Sequence, residues 1–201
     1  RFLISTTMLR AILPSAVATT KRHAERKILR VDPNELFNII TDVDKYSQFL
    51  PLCTHSKILR RSDCGTTFDA TLTVGLPPLL SEDYVSRVKV DEDAMTVNAK
   101  SIRSQKFDSL RSSWRLRKVP SGGGGTANGD DDRNSSEADA QSKSPNKMWC
   151  DVEFEVEMTV SDPIIVATLD KVLQGVAGNQ MEAFRRRCAE ISPQRHESSP
   201  Q

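Results

Sequence analysis

The clearest pattern in the chain is the alternation at residues 148–160 (MWCDVEFEVEMTV), where Val152, Phe154, Val156 and Met158 interleave with Asp151, Glu153, Glu155 and Glu157. A period of two places these sets on opposite faces of a β-strand, so the segment predicts a strand with one dry and one wet face. The same period runs through 66–75, where Phe68, Ala70, Leu72 and Val74 alternate with Thr67, Asp69, Thr71 and Thr73. Residues 82–90, 94–102 and 106–119 alternate too, and 23–31 and 54–61 complete a set of seven predicted strands. Asp63-Cys64-Gly65 supplies the turn between 54–61 and 66–75.

Helical signals fall in two places. Asp32-Pro33-Asn34-Glu35 is a helix start: Asp32 caps, Pro33 suits the first helical position, and Glu35 puts negative charge in the first turn. Leu36, Phe37, Ile39, Ile40 and Val43 form the apolar face, and a second short helix over 43–50 ends at Pro51. From Asp162 to Ile191 a long amphipathic helix is predicted, with Ile165, Leu169, Val172, Val176, Phe184 and Cys188 recurring at helical steps and Leu173 and Met181 widening the stripe. At 1.5 Å per residue it measures roughly 45 Å, long enough to cross a whole sheet. Gly175 and Gly178 interrupt it; they either admit a ligand or sheet backbone, bend the helix, or are simply tolerated. The order is strand, two short helices, five strands, an insertion, one strand and one long helix. It predicts an α+β fold in which an antiparallel sheet curls around the terminal helix.

Composition changes this picture at the ends and in one loop. The 201 residues suffice for one domain. Residues 1–22 carry Arg1, Arg10, Lys21 and Arg22, many hydroxyls and no acid, the composition of a mitochondrial transit-like disordered segment, with a plain disordered terminus as the alternative. Residues 121–147, with Gly122 to Gly125 and Asp130 to Asp132, hold almost nothing for a core and are expected to be a disordered insertion. The domain is expected to span 23–191, followed by a disordered tail at 192–201.

Charge and motif content exclude several functions. Lys and Arg total 28 against 27 Asp and Glu, which gives no reason to expect nucleic acid as a partner. Four cysteines without a C-x-x-C spacing, and three histidines, build no metal site and read as reduced thiols. No apolar run reaches the ~18–20 residues that span a bilayer. No phosphate loop or G-x-S-x-G elbow occurs. Cys53 and His55 could form a nucleophilic pair, but no carboxylate stands in view to orient it, and the acids of 148–160 read as a solvated face. No catalytic residue is therefore expected.

Apolar chemistry remains. Aromatics are only 5% of the chain, and many inward candidates are small, so the concave sheet predicts a void for an apolar guest. Tyr46 to Leu52 and Gly75 to Leu80 are apolar connections. They either form a lip that touches a membrane, with Leu76, Pro77, Pro78 and Leu79 at its tip, or pack on each other and close the core. Arg185, Arg186 and Arg187 complement the helix dipole and cover apolar surface, a reading preferred to a headgroup site.

Several spaced residues resemble the coenzyme Q-binding proteins, of the polyketide cyclase-like branch of the START superfamily. They are Asp44-x-Tyr46-x-x-Phe49-Leu50-Pro51-x-Cys53-x-x-Ser56, Leu72-Thr73-Val74-Gly75, Glu82-x-Tyr84-x-Ser86-x-Val88, Phe107-x-x-Leu110-x-x-x-Trp114 and Val152-x-Phe154. The resemblance covers about 21–187 except for the insertion, which is its chief departure. It implies a helix-grip fold and a deep cavity for ubiquinone or a polyprenyl precursor, bound as a guest rather than a cofactor. It also implies a peripheral site on the matrix face of the mitochondrial inner membrane, a carrier or chaperone role without catalysis, and contact with coenzyme Q biosynthetic or respiratory complexes. Phe49, Pro51 and Cys53 would sit at the cavity mouth. Val74, Tyr84, Phe107 and Trp114 would line the sheet side, and Leu169, Leu173, Val176 and Phe184 the helix side. Tyr84 or Trp114 would donate a hydrogen bond to the quinone head. A cyclase-like enzyme and a ribosome-association module, known among bacterial relatives, are the alternatives.

Overall fold

The computed structural model describes residues 17–76, 80–120 and 148–196, with the side chains at 76, 80, 148, 168–172, 174–178 and 192–196 left out. The N-terminal 1–16, the Pro77–Leu79 tip, the insertion 121–147 and the last residues 197–201 lie outside it, and so does what was expected of them. Seven strands make one antiparallel sheet: β1 (Thr19–Leu29), β2 (Cys53–Arg61), β3 (Thr67–Leu76), β4 (Leu80–Asp91), β5 (Thr96–Arg103), β6 (Ser109–Pro120) and β7 (Met148–Val160). Their spatial order is β1-β7-β6-β5-β4-β3-β2, so the chain places its first two strands at opposite edges. The short helices α1 (Pro33–Thr41) and α2 (Tyr46–Phe49), joined by a 3₁₀ turn at Val43–Lys45, span the gap between those edges. The long α3 (Pro163–His196) then lies over the concave face. Bulges at Cys53/His55, Ile58/Arg60 and Val85/Ser86 add the local twist that curves a sheet.

The helix starts form as their sequences predict. Asp32 Oδ1 accepts from the backbone N–H groups of Asn34 (2.7 Å) and Glu35 (3.1 Å). Asp162 Oδ1 does the same for Ile164 (2.8 Å) and Ile165 (3.4 Å), satisfying donors that a helix N-terminus leaves free. The predicted dry face of β7 is dry: Val152, Phe154, Val156 and Met158 are all buried, as are Phe68, Ala70 and Leu72 of β3. Ile165, Leu173, Met181, Phe184 and Cys188 bring the described part of the α3 stripe onto that face.

Two boundaries and one face differ from expectation. β1 begins at Thr19, so residues 19–22 belong to the sheet and not to a disordered leader. They pair with Glu157 to Val160 of β7 through the backbone, and a ladder of this kind needs no apolar side chains to announce it. The helix α3 runs to His196, past the expected end at 191 and into the predicted tail. Pro193 does not prevent this, since a proline's fixed φ is helical and it removes only one hydrogen bond, which a helix end can carry. The wet face of β7 is not uniformly wet. The Asp151 side chain is 6% exposed, covered by Arg26 of β1 and Arg117 of β6 at 2.6 and 3.4 Å, while Glu153 meets Arg117 and Arg115. Flanking arginines on both neighbouring strands turn the alternating acids into a charge lattice. Their order in sequence gives no hint of that register.

Candidate functional site

Between α3 and the sheet lies a cavity of about 160 Å³. Its origin is visible in the rows of the sheet. Ala70 of β3 pairs with Ser86 of β4, which pairs with Ser101 of β5; one row on, Ala99 of β5 pairs with Ser112 of β6. Small side chains therefore floor the middle of the sheet where β3 to β6 pass beneath the helix, and close packing elsewhere leaves the shortfall as empty space. The deep wall is aromatic. Trp114 lies 4.3 Å from Phe154 and 5.0 Å from Phe184 between ring centroids, and Phe184 meets the edges of Tyr46 and Phe49 at 5.4 and 5.2 Å.

At one end the cavity reaches the surface, since Pro51 both lines it and is exposed. The loop 50–53 forms this mouth and is fastened to β3: Gly75 N–H donates to the Leu52 carbonyl (2.8 Å), and Cys53 pairs with Val74. The two apolar segments seen in the sequence thus lie at the same end, in contact along their described residues. Leu52 takes a positive φ of 67°, a conformation that disfavours a branched side chain and persists where its surroundings fix it. Several resembling residues turn out to hold this mouth in place. Asp44 Oδ1 accepts from Ile58 N–H (2.6 Å), Ser56 Oγ accepts from Ser47 N–H (3.0 Å), and Tyr46 Oη donates to the Ile40 carbonyl (2.5 Å). Glu82, 3% exposed, accepts from the Ser104 hydroxyl and the Gln105 and Lys106 N–H groups, anchoring the β5–β6 turn that carries Phe107.

Of the residues expected to bind ligand, Pro51, Cys53, Val74, Tyr84, Phe107, Trp114 and Leu173 line the cavity. Phe49 and Phe184 do not: they meet each other and Tyr46 edge to face and back the wall from behind. The side chains of Leu169, Val176 and Leu76, and all of Pro77, Pro78 and Leu79, lie outside the described residues. Sequence reasoning missed Ser86, Ala99, Leu110 and Ser112, which share the inward phase of Val88, Val97 and Trp114; strand phase could have found them. Of the two roles read for the arginines near the end of α3, the cover of apolar surface is seen at Arg187, but the helix runs on to His196 and leaves all three more than two turns from the C-terminus whose dipole they were expected to complement. Arg185 pairs with Glu182, and Arg187 lies 5.8 Å over the Phe49 ring.

Electrostatics make the cavity a poor place for proton transfer. Its described lining has no carboxylate, imidazole, amine or guanidinium. Burial pushes the Cys53 thiol up to about 11, and Sγ donates to the His55 backbone carbonyl (3.4 Å) rather than to the exposed ring, so the two do not form a nucleophilic pair. Burial likewise raises Tyr84, which keeps its phenol protonated. Among the described residues no cluster of three metal-ligating side chains occurs, and no helix is long and apolar enough to cross a membrane.

A long helix gripped by a curved antiparallel sheet, with an apolar chamber between them, defines a helix-grip protein of the START-like class. Residues 29–185 match the family of polyketide cyclases/dehydrases and lipid transport proteins, and the chain belongs to that family. It is similar to mitochondrial coenzyme Q-binding proteins: 31% identity over 97 residues with that of Schizosaccharomyces pombe, covering 48% of this chain and 58% of the relative. The Dictyostelium discoideum protein gives 31% over 91 residues, 45% of this chain and 43% of the relative. The chain thus spans about half the length of these relatives. The ribosome association toxin RatA of Pseudomonas aeruginosa is 22% identical over 171 residues, 84% of this chain and 96% of the relative. Two solved structures share the fold. A START superfamily protein from Mycobacterium smegmatis has a TM-score of 0.62 at 13% identity, covering 85% of this chain and 98% of that one. An aromatase/cyclase from Streptomyces sp. R1128 also scores 0.62, at 9% identity, covering 85% and 94%.

Proposed function

We propose that this protein binds an isoprenoid quinone, ubiquinone or a polyprenyl precursor, as a non-catalytic carrier or chaperone. The observation that carries the reading is the cavity itself: mainly apolar, floored by small side chains, free of carboxylates, imidazoles and amines in its described lining, and built from residues that resemble the coenzyme Q-binding proteins. An apolar chamber of about 150 Å³ holds a guest the size of benzene. The space here, about 160 Å³, is therefore of the size of a ring, with the tail at the mouth. An isoprenoid tail gains roughly 0.8 kcal/mol per buried methylene in protein or bilayer alike. Exchange with a membrane is then close to neutral, which suits a carrier. Pro51 at the mouth and Ile164 at the start of α3, 76% exposed, support a mouth that faces a bilayer. The names of the relatives support a mitochondrial location. The matrix face of the inner membrane as that bilayer, and coenzyme Q biosynthetic or respiratory complexes as recipients, enter this proposal through the resemblance alone.

Solvent extraction of the purified protein followed by mass spectrometry tests this reading. An isoprenoid quinone in stoichiometric amount is expected; repeated extracts without quinone or prenyl lipid would overturn it. The near full-length similarity to RatA favours a second reading, association with a ribosomal subunit. Co-sedimentation with subunits at moderate salt separates the two. A cyclase-like activity finds less support, since general acid–base catalysis needs a group that titrates near neutral pH inside the chamber.

A further inference from the structure

We propose that the guest enters ring first, with the Tyr84 phenol donating a hydrogen bond to a ring carbonyl oxygen, the Ser86 and Ser112 hydroxyls serving the deeper ring substituents, and the tail leaving past Pro51 and Leu52. This rests on the quinone reading above and adds to it the orientation of the guest and the groups that recognise it.

Three uncommitted hydroxyls face a mainly apolar chamber, whose described lining also holds the Gln180 amide on the helix side, and their positions follow the sheet register. Tyr84 pairs with Leu72, one row inside the Val74–Glu82 pair at the mouth. Ser86 pairs with Ala70 in the next row, and Ser112 pairs with Ala99, which itself pairs with Val88 one row deeper. They therefore step inward from mouth to floor along the path a ring would take. None of the three makes a hydrogen bond to another described residue, although all line the cavity. The contrast with Tyr46 is direct: it lies in the same core, and its hydroxyl is committed to the Ile40 carbonyl.

Hydroxyls that face an apolar chamber without partners are costly when the chamber dries, because each loses water and gains nothing. A tail-first guest would impose that loss on all three, since a hydrocarbon offers no acceptor. An oxygenated ring repairs it, because quinone carbonyl oxygens accept from O–H donors. Volume agrees with chemistry, since the enclosed space is ring-sized. Phe107, whose ring centroid lies 6.1 Å from that of Tyr84 at 70°, holds the phenol from the mouth side. Trp114, the other donor suggested by the sequence, is wedged between Phe154 and Phe184 and belongs to the packed wall.

The experiment compares wild type with Tyr84→Phe and Ser86→Ala for two probes: ubiquinone with a two-isoprene tail, and a prenyl hydrocarbon of similar length that lacks the ring. Wild-type protein that binds neither probe overturns the quinone reading itself. With quinone binding established, Tyr84→Phe is expected to weaken the ring-bearing probe by about three- to tenfold, the worth of one neutral hydrogen bond, and to leave the hydrocarbon unchanged or tighter. Infrared spectra of the bound quinone supply a readout that packing alone does not move: a carbonyl stretch lowered in wild type and returned toward its apolar-solvent position in Tyr84→Phe. Equal affinities for the quinone in wild type and Tyr84→Phe, with an unshifted carbonyl in both, would overturn the ring-first assignment while leaving quinone binding intact.

Discussion

One helix lies over one sheet, yet the two halves of the interface are built differently. Along the half where β6 and β7 meet α1 and α3, Leu36, Val152, Met181, Phe184 and Cys188 are at most 1% exposed and rings interlock. Along the half floored by β3 to β6, Ser86, Ala99 and Ser112 line a chamber. Backbone geometry is shared, so side-chain volume decides which half is core and which half is site. The chamber is left by small side chains on a sheet that larger ones would have filled. The packed half then has to supply the stability that the open half does not.

The largest test of that contrast sets Phe184→Ala against Ser112→Leu. The first removes a ring at the centre of the packed half and should cost about 3–5 kcal/mol in urea unfolding, with the quinone site distorted secondarily. The second adds methylenes where there is room, so stability should change by no more than about 1 kcal/mol while bound quinone falls at least about tenfold. If Ser112→Leu proved as destabilising as Phe184→Ala, the chamber would be packed in solution and the distinction between the halves would collapse.

Acid sharpens the contrast along a second axis, the two faces of the sheet. On the outer face the Asp151 carboxyl is held below the usual carboxylate range, first by its hydrogen bonds from Arg26 and then by the charges of Arg26 and Arg117. Glu153 is lowered through Arg117, and Asp69 through Arg87. Groups whose folded pKa is depressed add stability above the ordinary carboxylate pKa of about 4, and that stability is lost as pH falls through the folded values. Stability should therefore decline below about pH 4, and Asp151→Asn should flatten that decline at a cost of about 1 kcal/mol at neutral pH, kept small because the arginines are solvated. The inner face should behave otherwise. Cys53 and Tyr84 are raised away from neutrality, so quinone affinity should stay flat from about pH 5 to 8 while stability changes at the acid end. A steep pH dependence of binding in that range would place a titrating group in the chamber.

The same contrast explains how much the sequence could say. Period-two alternation exposed the dry face of β7 and β3, and Asp32 and Asp162 announced both helix starts, because these signals are local. Pro51, Cys53, Val74, Tyr84, Phe107, Trp114 and Leu173 reach the chamber as their phase and resemblance suggested. Phe49 and Phe184 carry the same apolar character but stack behind the wall, since whether a ring faces a void or another ring depends on partners far off in sequence. Ser86, present only as part of a resembling motif, and Ser112 were not assigned to the cavity, because a serine on a strand reads as solvent-facing; strand phase turns each inward, and the register sets each beneath α3. The burial of Asp151 was hidden for a related reason, as Arg26 lies 125 residues away and only the β1–β7 pairing brings it over the carboxylate.

The smallest effect separates two tyrosines that stand on either side of the boundary. Tyr46 Oη donates to the Ile40 carbonyl at the C-terminal end of α1, where helix carbonyls lack partners of their own. Replacing it with Phe leaves that carbonyl without its donor and should lower stability by about 1 kcal/mol, read as a lower urea midpoint with an unchanged slope. Tyr84 has no such bond to lose, so Tyr84→Phe should shift the midpoint by less than about 0.5 kcal/mol equivalent, although it touches the same chamber. Equal losses from the two variants would make Tyr84 a member of the framework, and the mouth of the cavity would no longer hold a donor set aside for a guest.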